Sequence, residues 1–425
     1  MSVYRLLYSI LCYLIFPIAL ARLFWRSIKQ PEIRQHWQNR LGFIILDQSP
    51  RICLHAVSVG ETIAAKPLIE SLLLQYPSHK LLITNTTSTG YAVAVKSFGQ
   101  RVEHCYFPYD LNGAVSRFLK SANPALLIVM ETEIWPNLLH HCNRSNIPVI
   151  IANARLSERS TKKYLKIRPL IKETLSCINT IACRSTKDSE HFQRLGAISS
   201  QVEVIGNIKF DVSTQTNNTS LPPLKNQFNE PRKIWVAAST HLGEDELILN
   251  IFKKLKAHYH DLILVLVPRH PERFDQVFGL CRDSGRLTQR RSDKTLFTDD
   301  CEIILGDSMG EMEYWYSSAD VAFLGGSLVN TGGHNPLEAS LFGIPVVSGP
   351  AIFNFNDVYE ILCEAEVAWV ENNIEDVTTR VKALLERSET EIADAQFNIK
   401  ETIESNKGAT ARLVDLSSKF LTPNK

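Results

Sequence analysis

From residue 51 onward the chain alternates short, uninterrupted apolar runs with amphipathic stretches. An apolar run without polar alternation suits a strand covered on both faces, and that geometry belongs to parallel sheets flanked by crossover helices. In the first half such runs fall at 52–57, 80–84, 126–130, 148–151, 180–183 and 201–205. Helix-like stretches separate them at 62–75, 135–142 and 187–195, the last of which stops at Gly196. Residues 213–230 then break the pattern with polar side chains and two prolines, which marks a linker. Apolar runs restart at 234–238, 262–267, 301–305, 321–324 and 344–347. The expected architecture is α/β, with two Rossmann-like doubly wound domains at 29–212 and 231–425 facing a cleft. A length of 425 residues accommodates this at about 150 residues per domain. In sheets of this kind ligands sit at the carboxyl ends of the strands, so the loops after the strands carry the chemistry.

The start of the chain obeys a different rule. Residues 6–21 hold no charge and lie between Arg5 and Arg22, with Pro17 inside the run. A membrane span takes about 17–25 apolar residues, so the run is borderline. The stretch that follows is basic, with Arg22, Arg26, Lys29, Arg34 and Arg40 opposed only by Glu32 and Asp47. A cleaved signal peptide fits poorly, for no small-residue cleavage site follows. A buried helix is the bland alternative. An anchor over residues 1–28, whether a short span or a helix lying in the interface, fits best, with its basic flank on the cytoplasmic side. The body of the protein is then expected in the cytoplasm. Nine cysteines without a C-x-x-C pair agree with a reducing compartment. With 46 basic and 45 acidic side chains the net charge is +1, and no nucleic-acid partner is expected.

Several loops hold candidate groups. Glu61 follows the first strand in HAVSVGE (55–61), where Gly60 allows a tight turn and the carboxylate opens a helix. It can act as a base toward a hydroxyl or, more blandly, stabilise its helix terminus. Glu131 and Glu133 follow the strand LLIVM; Glu131 is the better candidate for chemistry, and Glu133 can cap the helix starting near Trp135 and Pro136. Lys209 lies in GNIKFD (206–211), just before the linker, where a lysine can meet an anion or simply be solvated. In the second half Pro268 and Arg269 end an apolar strand, and Met309, Gly310 and Glu311 close another strand's loop. Arginine there can grip a phosphate by paired hydrogen bonds. Asn335, Pro336, Leu337 and Glu338 read as a capped helix start, and Glu338 can also bridge ribose hydroxyls. Together these loops suggest a nucleotide. The chain has no G-x-x-x-x-G-K-[ST] loop, no G-x-G-x-x-G fingerprint and no G-x-S-x-G elbow, which disfavours an NTPase, a dehydrogenase and a serine hydrolase.

HAVSVGE at 55–61, METEIWPN at 130–137, NARLS at 153–157, GNIKFD at 206–211, VPRHPERF at 267–274, GDSMGE at 306–311 and GGSLVNTGGHNPLEA at 325–339 resemble, in order, the motifs of one family. It is the 3-deoxy-D-manno-octulosonic acid (Kdo) transferases of lipopolysaccharide assembly. The resemblance implies a GT-B glycosyltransferase at the bacterial inner membrane that moves Kdo from CMP-Kdo to a lipid A precursor, inverting the anomeric centre without a metal or other cofactor. It further implies Glu61 as catalytic base and Glu131 and Lys209 as transition-state support. Pro268, Arg269, Met309, Gly310, Glu311, Asn335, Pro336, Leu337 and Glu338 would hold CMP, and the two halves would close on the donor. Rival readings are a related transferase or epimerase using a uridine nucleotide, and a membrane-attached sugar-nucleotide sensor with a dead site.

Overall fold

The computed structural model describes residues 2–29, 34–211, 222–293 and 295–421. It divides into two compact units, Met1–Asp211 with Asn406–Lys425, and Val212–Ser405. Each unit is built on a seven-stranded sheet. In the first, β1 (Arg51–His55), β2 (Lys80–Asn85), β3 (Glu103–Tyr106), β4 (Pro124–Met130), β5 (Val149–Ala154), β6 (Thr180–Cys183) and β7 (Val202–Val204) lie in the order β3-β2-β1-β4-β5-β6-β7. In the second, β8 (Lys233–Thr240), β9 (Leu262–Pro268), β10 (Thr288–Arg290), β11 (Ile303–Leu305), β12 (Val321–Leu324), β13 (Val346–Ser348) and β14 (Ala368–Val370) lie in the order β10-β11-β9-β8-β12-β13-β14. Neighbouring strands pair in parallel. The strand order turns around at β1 and β4 in one sheet and at β8 and β12 in the other, the switch points where ligands bind in open parallel sheets.

Most of the apolar runs mark interior strands buried on both faces, as every residue of β1, β5 and β9 is, while the run at 201–205 falls on the half-buried edge strand β7. Strands β3, β10 and β14 lie outside the runs expected from the sequence. All three are sheet edges, three or four residues long, and EHCY and TQR are too polar to register as core strands.

Two boundaries differ from those expected. The second unit does not run to residue 425, because the helix Ala409–Ser418 packs into the first unit's core beside Leu68 and Leu72. Asp211 tethers that helix by accepting the N–H groups of Gly408 at 2.6 Å and Thr410 at 2.5 Å. Of the linker expected at 213–230, residues 213–221 lie outside the described residues. The remainder is part of the second unit: Leu224 is fully buried and its N–H donates to Ser318 Oγ at 3.1 Å.

The N-terminal helix, Val3–Lys29, is long and apolar enough over Val3–Trp25 to cross a membrane by length and composition. One of its faces is taken up by the first unit, where Arg5 and Ser9 are buried, whereas Leu7, Leu11, Leu14 and Ile18 are exposed. All nine cysteines are free.

Candidate active site

In the first unit, β1 ends at His55, level with Thr84 of β2 and Val129 of β4. The His55 ring is fully buried, stacks on Phe107 with ring centres 3.6 Å apart and meets the Thr84 hydroxyl through Nδ1 at 3.0 Å. Burial pulls its pKa down to about 3, so it serves as a neutral packing element. The turn beyond it is pinned from β2 and its loop: Asn85 Nδ2 donates to Ala56 O at 2.7 Å, and the Thr87 hydroxyl donates to Val57 O at 3.0 Å. Ser58 caps the helix Val59–Ala64, and Glu61 sits in its first turn. The Glu61 carboxylate accepts the Val57 N–H at 2.7 Å and the Ser58 hydroxyl at 3.1 Å. The helix-terminus role open to it in the sequence is therefore real.

It is not the whole of its situation. Burial pushes the Glu61 carboxyl up to about 7; the Val57 N–H works against this, and the charges of Glu131 and Glu133 add to it. Glu133 is likewise raised to about 7, by burial first and with Glu131 contributing. Three carboxyl groups thus share the ends of β1 and β4, and the like charge of its neighbours disfavours ionisation of Glu61. Glu131 holds a left-handed backbone (φ 57°), a conformation that costs a non-glycine residue energy and recurs at functional sites. Its N–H is anchored on Ala152 O of β5 at 2.9 Å. Glu133 does not cap the following helix, Pro136–Arg144; Asp110 does, through the N–H groups of Asn137 and Leu138.

Lys209 lies in a single 3₁₀ turn, Ile208–Phe210, after β7. Asn207 accepts its backbone N–H at 3.1 Å, and buried Asn153, at the end of β5, accepts that of Ile208 at 3.2 Å. Asn153 also has a left-handed backbone (φ 53°). The motifs NARLS and GNIKFD are thereby joined, and Lys209 is attached to the strand that neighbours Glu131's own.

In the second unit the organising residue is one without a sequence motif. Glu244 is fully buried and accepts four backbone N–H groups: His241 at 2.8 Å, Gly326 at 2.6 Å, Ser327 at 3.1 Å and Leu328 at 2.9 Å. It therefore ties the loop after β8 to the glycine loop after β12. Gly325 is required there, since a Cβ would stand 2.4 Å from Ser239 O. Pro268 is buried at the end of β9, and exposed Arg269 donates its N–H to Thr240 O at 3.0 Å.

Around Arg269 lie imidazoles. His241 and His334 meet Nε2 to Nε2 at 2.9 Å, and the His241 and His270 rings are 5.3 Å apart. Burial, then His241 and Arg269, pulls His334 down to about 4. Asn335 Oδ1 accepts the Leu337 N–H at 3.2 Å, but the cap of the short helix Leu337–Ser340 is Pro336, so Asn335 stands one residue before the capping position expected of it. Pro336 and Leu337 are buried beneath it, and the Glu338 side chain reaches the surface. Loss of surrounding water raises the Glu338 carboxyl, while Arg269 and Asn335 lower it. After β11, Met309 and Gly310 are exposed, Gly310 with φ 83°, and Glu311 is held by Arg291 at 2.7 Å. Arg269, Asn335 and Glu338 are thus brought together, and Met309–Glu311 form a separate loop of the same sheet. An arginine, imidazoles, glycine-loop amides and a surface carboxylate suit a phosphorylated, hydroxyl-bearing ligand. The residues that escaped notice in the sequence act across distant segments, Glu244 and Asn85 on backbone atoms and His241 on the His334 ring, which no local pattern announces.

Two units on parallel sheets of this order, with the candidate groups at strand ends, define the GT-B class of glycosyltransferase-like proteins. Solved structures agree on the fold. A glycosyltransferase from Rickettsia africae matches with a TM-score of 0.54 at 14% identity, covering 88% of this chain and 100% of its own. A UDP-N-acetylglucosamine 2-epimerase matches with a TM-score of 0.54 at 14% identity, covering 88% and 97%. Sequence narrows the class further. Residues 35–212 match the family described as 3-deoxy-D-manno-octulosonic-acid transferase (kdotransferase). A 3-deoxy-D-manno-octulosonic acid transferase of Haemophilus influenzae is 40% identical over 428 residues, covering 99% of this chain and 100% of its own. One from Bordetella pertussis is 33% identical over 321 residues, covering 72% of each. The chain belongs to the Kdo transferase family, glycosyltransferases of lipopolysaccharide biosynthesis.

Proposed function

We propose that this chain transfers Kdo from CMP-Kdo to a hydroxyl of a lipid A precursor, a tetraacylated disaccharide bisphosphate, releasing CMP with inversion at the anomeric carbon and without a bound metal. The observation that carries the reading is the Glu61 carboxyl, raised to about 7 at the end of β1 beside Glu131 and Glu133. A base works best with a pKa near the operating pH, and an acceptor hydroxyl is a weak nucleophile until its proton leaves. Glu61 takes that proton as the new bond forms. Glu131 supports the positive charge that develops at the sugar, and Lys209 balances the carboxylate the donor itself carries.

The CMP part falls to the second unit. Arg269 and the amides of the glycine loops meet the phosphate, whose charge grows as it departs. Glu338 takes ribose hydroxyls, with Asn335 fixing the turn that presents it. Met309, Gly310 and Glu311 form one wall of the nucleotide site; Pro268, Pro336 and Leu337 give it a rigid floor. Charge on the leaving phosphate is thereby met by protein groups, so the displacement needs no metal.

The acceptor lives in a bilayer, and the N-terminal helix is the membrane contact. Its buried Arg5 and Ser9 face the first unit and its exposed leucines face outward. This supports a helix lying along the cytoplasmic face of the inner membrane in preference to one crossing it. The test is Glu61→Gln with CMP-Kdo and the acylated acceptor. Turnover is expected to fall by about 10²–10⁴-fold, with CMP binding retained. Near-normal turnover contradicts the base assignment.

A further inference from the structure

The loop that carries Glu131 and Glu133 is held at both ends by groups outside it. At its start the Glu131 N–H donates to Ala152 O at 2.9 Å, and the Thr132 hydroxyl donates to Arg155 O. At its end the helix Pro136–Arg144 opens on Trp135, which supplies no side-chain cap. The cap comes from Asp110. Its Oδ2 accepts the Asn137 N–H at 2.9 Å, its Oδ1 accepts the Leu138 N–H at 2.8 Å, and its carbonyl accepts Asn137 Nδ2 at 2.7 Å.

Both capping partners are also engaged by the N-terminal helix. The Tyr8 hydroxyl donates to the same Asp110 Oδ2 at 2.9 Å, and the Ser9 hydroxyl donates to Asn137 Oδ1 at 2.8 Å. Ser9, Asp110 and Asn137 are only 4%, 5% and 1% exposed. Apolar packing alone would hold an apolar helix with little preference for its sliding position. A buried polar network is costly unless every member is satisfied, and so it admits one register. Two successive residues of the helix whose other face is apolar thus end on the two residues that fix where the carboxylate loop stops.

We propose that Asp110 and Asn137 are positioning residues that lock the N-terminal helix in register with the loop bearing Glu131 and Glu133, so that the membrane surface and the acceptor-side carboxylates keep a fixed spacing. The inference rests on the preceding reading of an acylated acceptor.

The test is the full-length double variant Tyr8→Phe/Ser9→Ala, which removes both links from the helix and leaves the Asp110 cap intact. With the tetraacylated acceptor in phospholipid vesicles, KM is expected to rise about tenfold, a loss of ~1.4 kcal/mol, with kcat little changed. With a deacylated, water-soluble acceptor, KM is expected to stay at the wild-type value. Equal losses with both acceptors, an unchanged vesicle KM, or loss of vesicle binding itself would each overturn the coupling. Amide hydrogen exchange over residues 131–138 reads the lock without any acceptor: faster exchange in the double variant is expected, and unchanged exchange overturns it. That arm stands even if the wild type turns over neither acceptor, a result that counts against the acceptor reading instead.

Discussion

A carboxyl group that must take a proton near neutrality needs surroundings that disfavour its charge without removing it from reach. Glu61 has them: burial raises it to about 7, with Glu131 and Glu133 adding to the shift. In the proposed role of base Glu61 must be ionised to act, so kcat/KM should climb with pH through an acidic limb near 7. Glu133→Gln removes one of the raising charges. The Glu61 carboxyl should then titrate lower and the limb should move to more acidic pH, as a pH–rate profile will show. A limb that stays in place separates the two groups. Glu61 and Glu131 stand out in the sequence because each lies in the stretch that follows an apolar strand. The part played by Glu133 does not, since its carboxyl is raised by burial first, and its charge reaches Glu61 only because β1 and β4 lie side by side, neither of which sequence spacing encodes. For the same reason the helix cap offered to Glu133 belongs to Asp110, from a different stretch of chain.

At the scale of elements, single residues hold whole loops. Glu244 gathers four amide groups from two loops of the second unit, and without it those buried donors lose a charged acceptor. Glu244→Ala should cost at least about 3 kcal/mol by urea unfolding, and the stabilisation conferred by CMP should shrink with it. A variant with wild-type stability and CMP response contradicts this role. The elements themselves were readable in proportion to their burial. Central strands such as LILVLV stand out as unbroken apolar runs, whereas TQR at the edge carries no such mark. The destination of the helix Ala409–Ser418 was not legible in the sequence. Its partners, Leu68 and Leu72 among them, lie more than three hundred residues earlier. Removing residues 406–425 should therefore destabilise the first unit selectively. Proteolysis or hydrogen exchange should show β1 and β2 losing protection while β8 and β9 keep theirs.

At the scale of the molecule, two parallel sheets each bring chemistry to their strand ends, and the apolar N-terminal helix gives the first unit a face suited to lipid. The two-sheet plan was visible in the alternation of apolar runs, and the motifs that carry the family resemblance fall in the loops at the strand ends. The lie of the N-terminal helix was not visible, because length and hydropathy describe a spanning helix and a surface helix alike, and they do not tell that Arg5 and Ser9 are buried on one face. The central claim, a transfer of Kdo to a lipid acceptor with Glu61 as base, is tested most directly by mass spectrometry of products. Purified full-length enzyme is incubated with CMP-Kdo and the tetraacylated lipid A precursor, alongside Glu61→Gln. A mass gain of one or more Kdo units in the wild type, lost in the variant, is the predicted result. No gain from active, detergent-solubilised enzyme, or an equal gain from the variant, would contradict it.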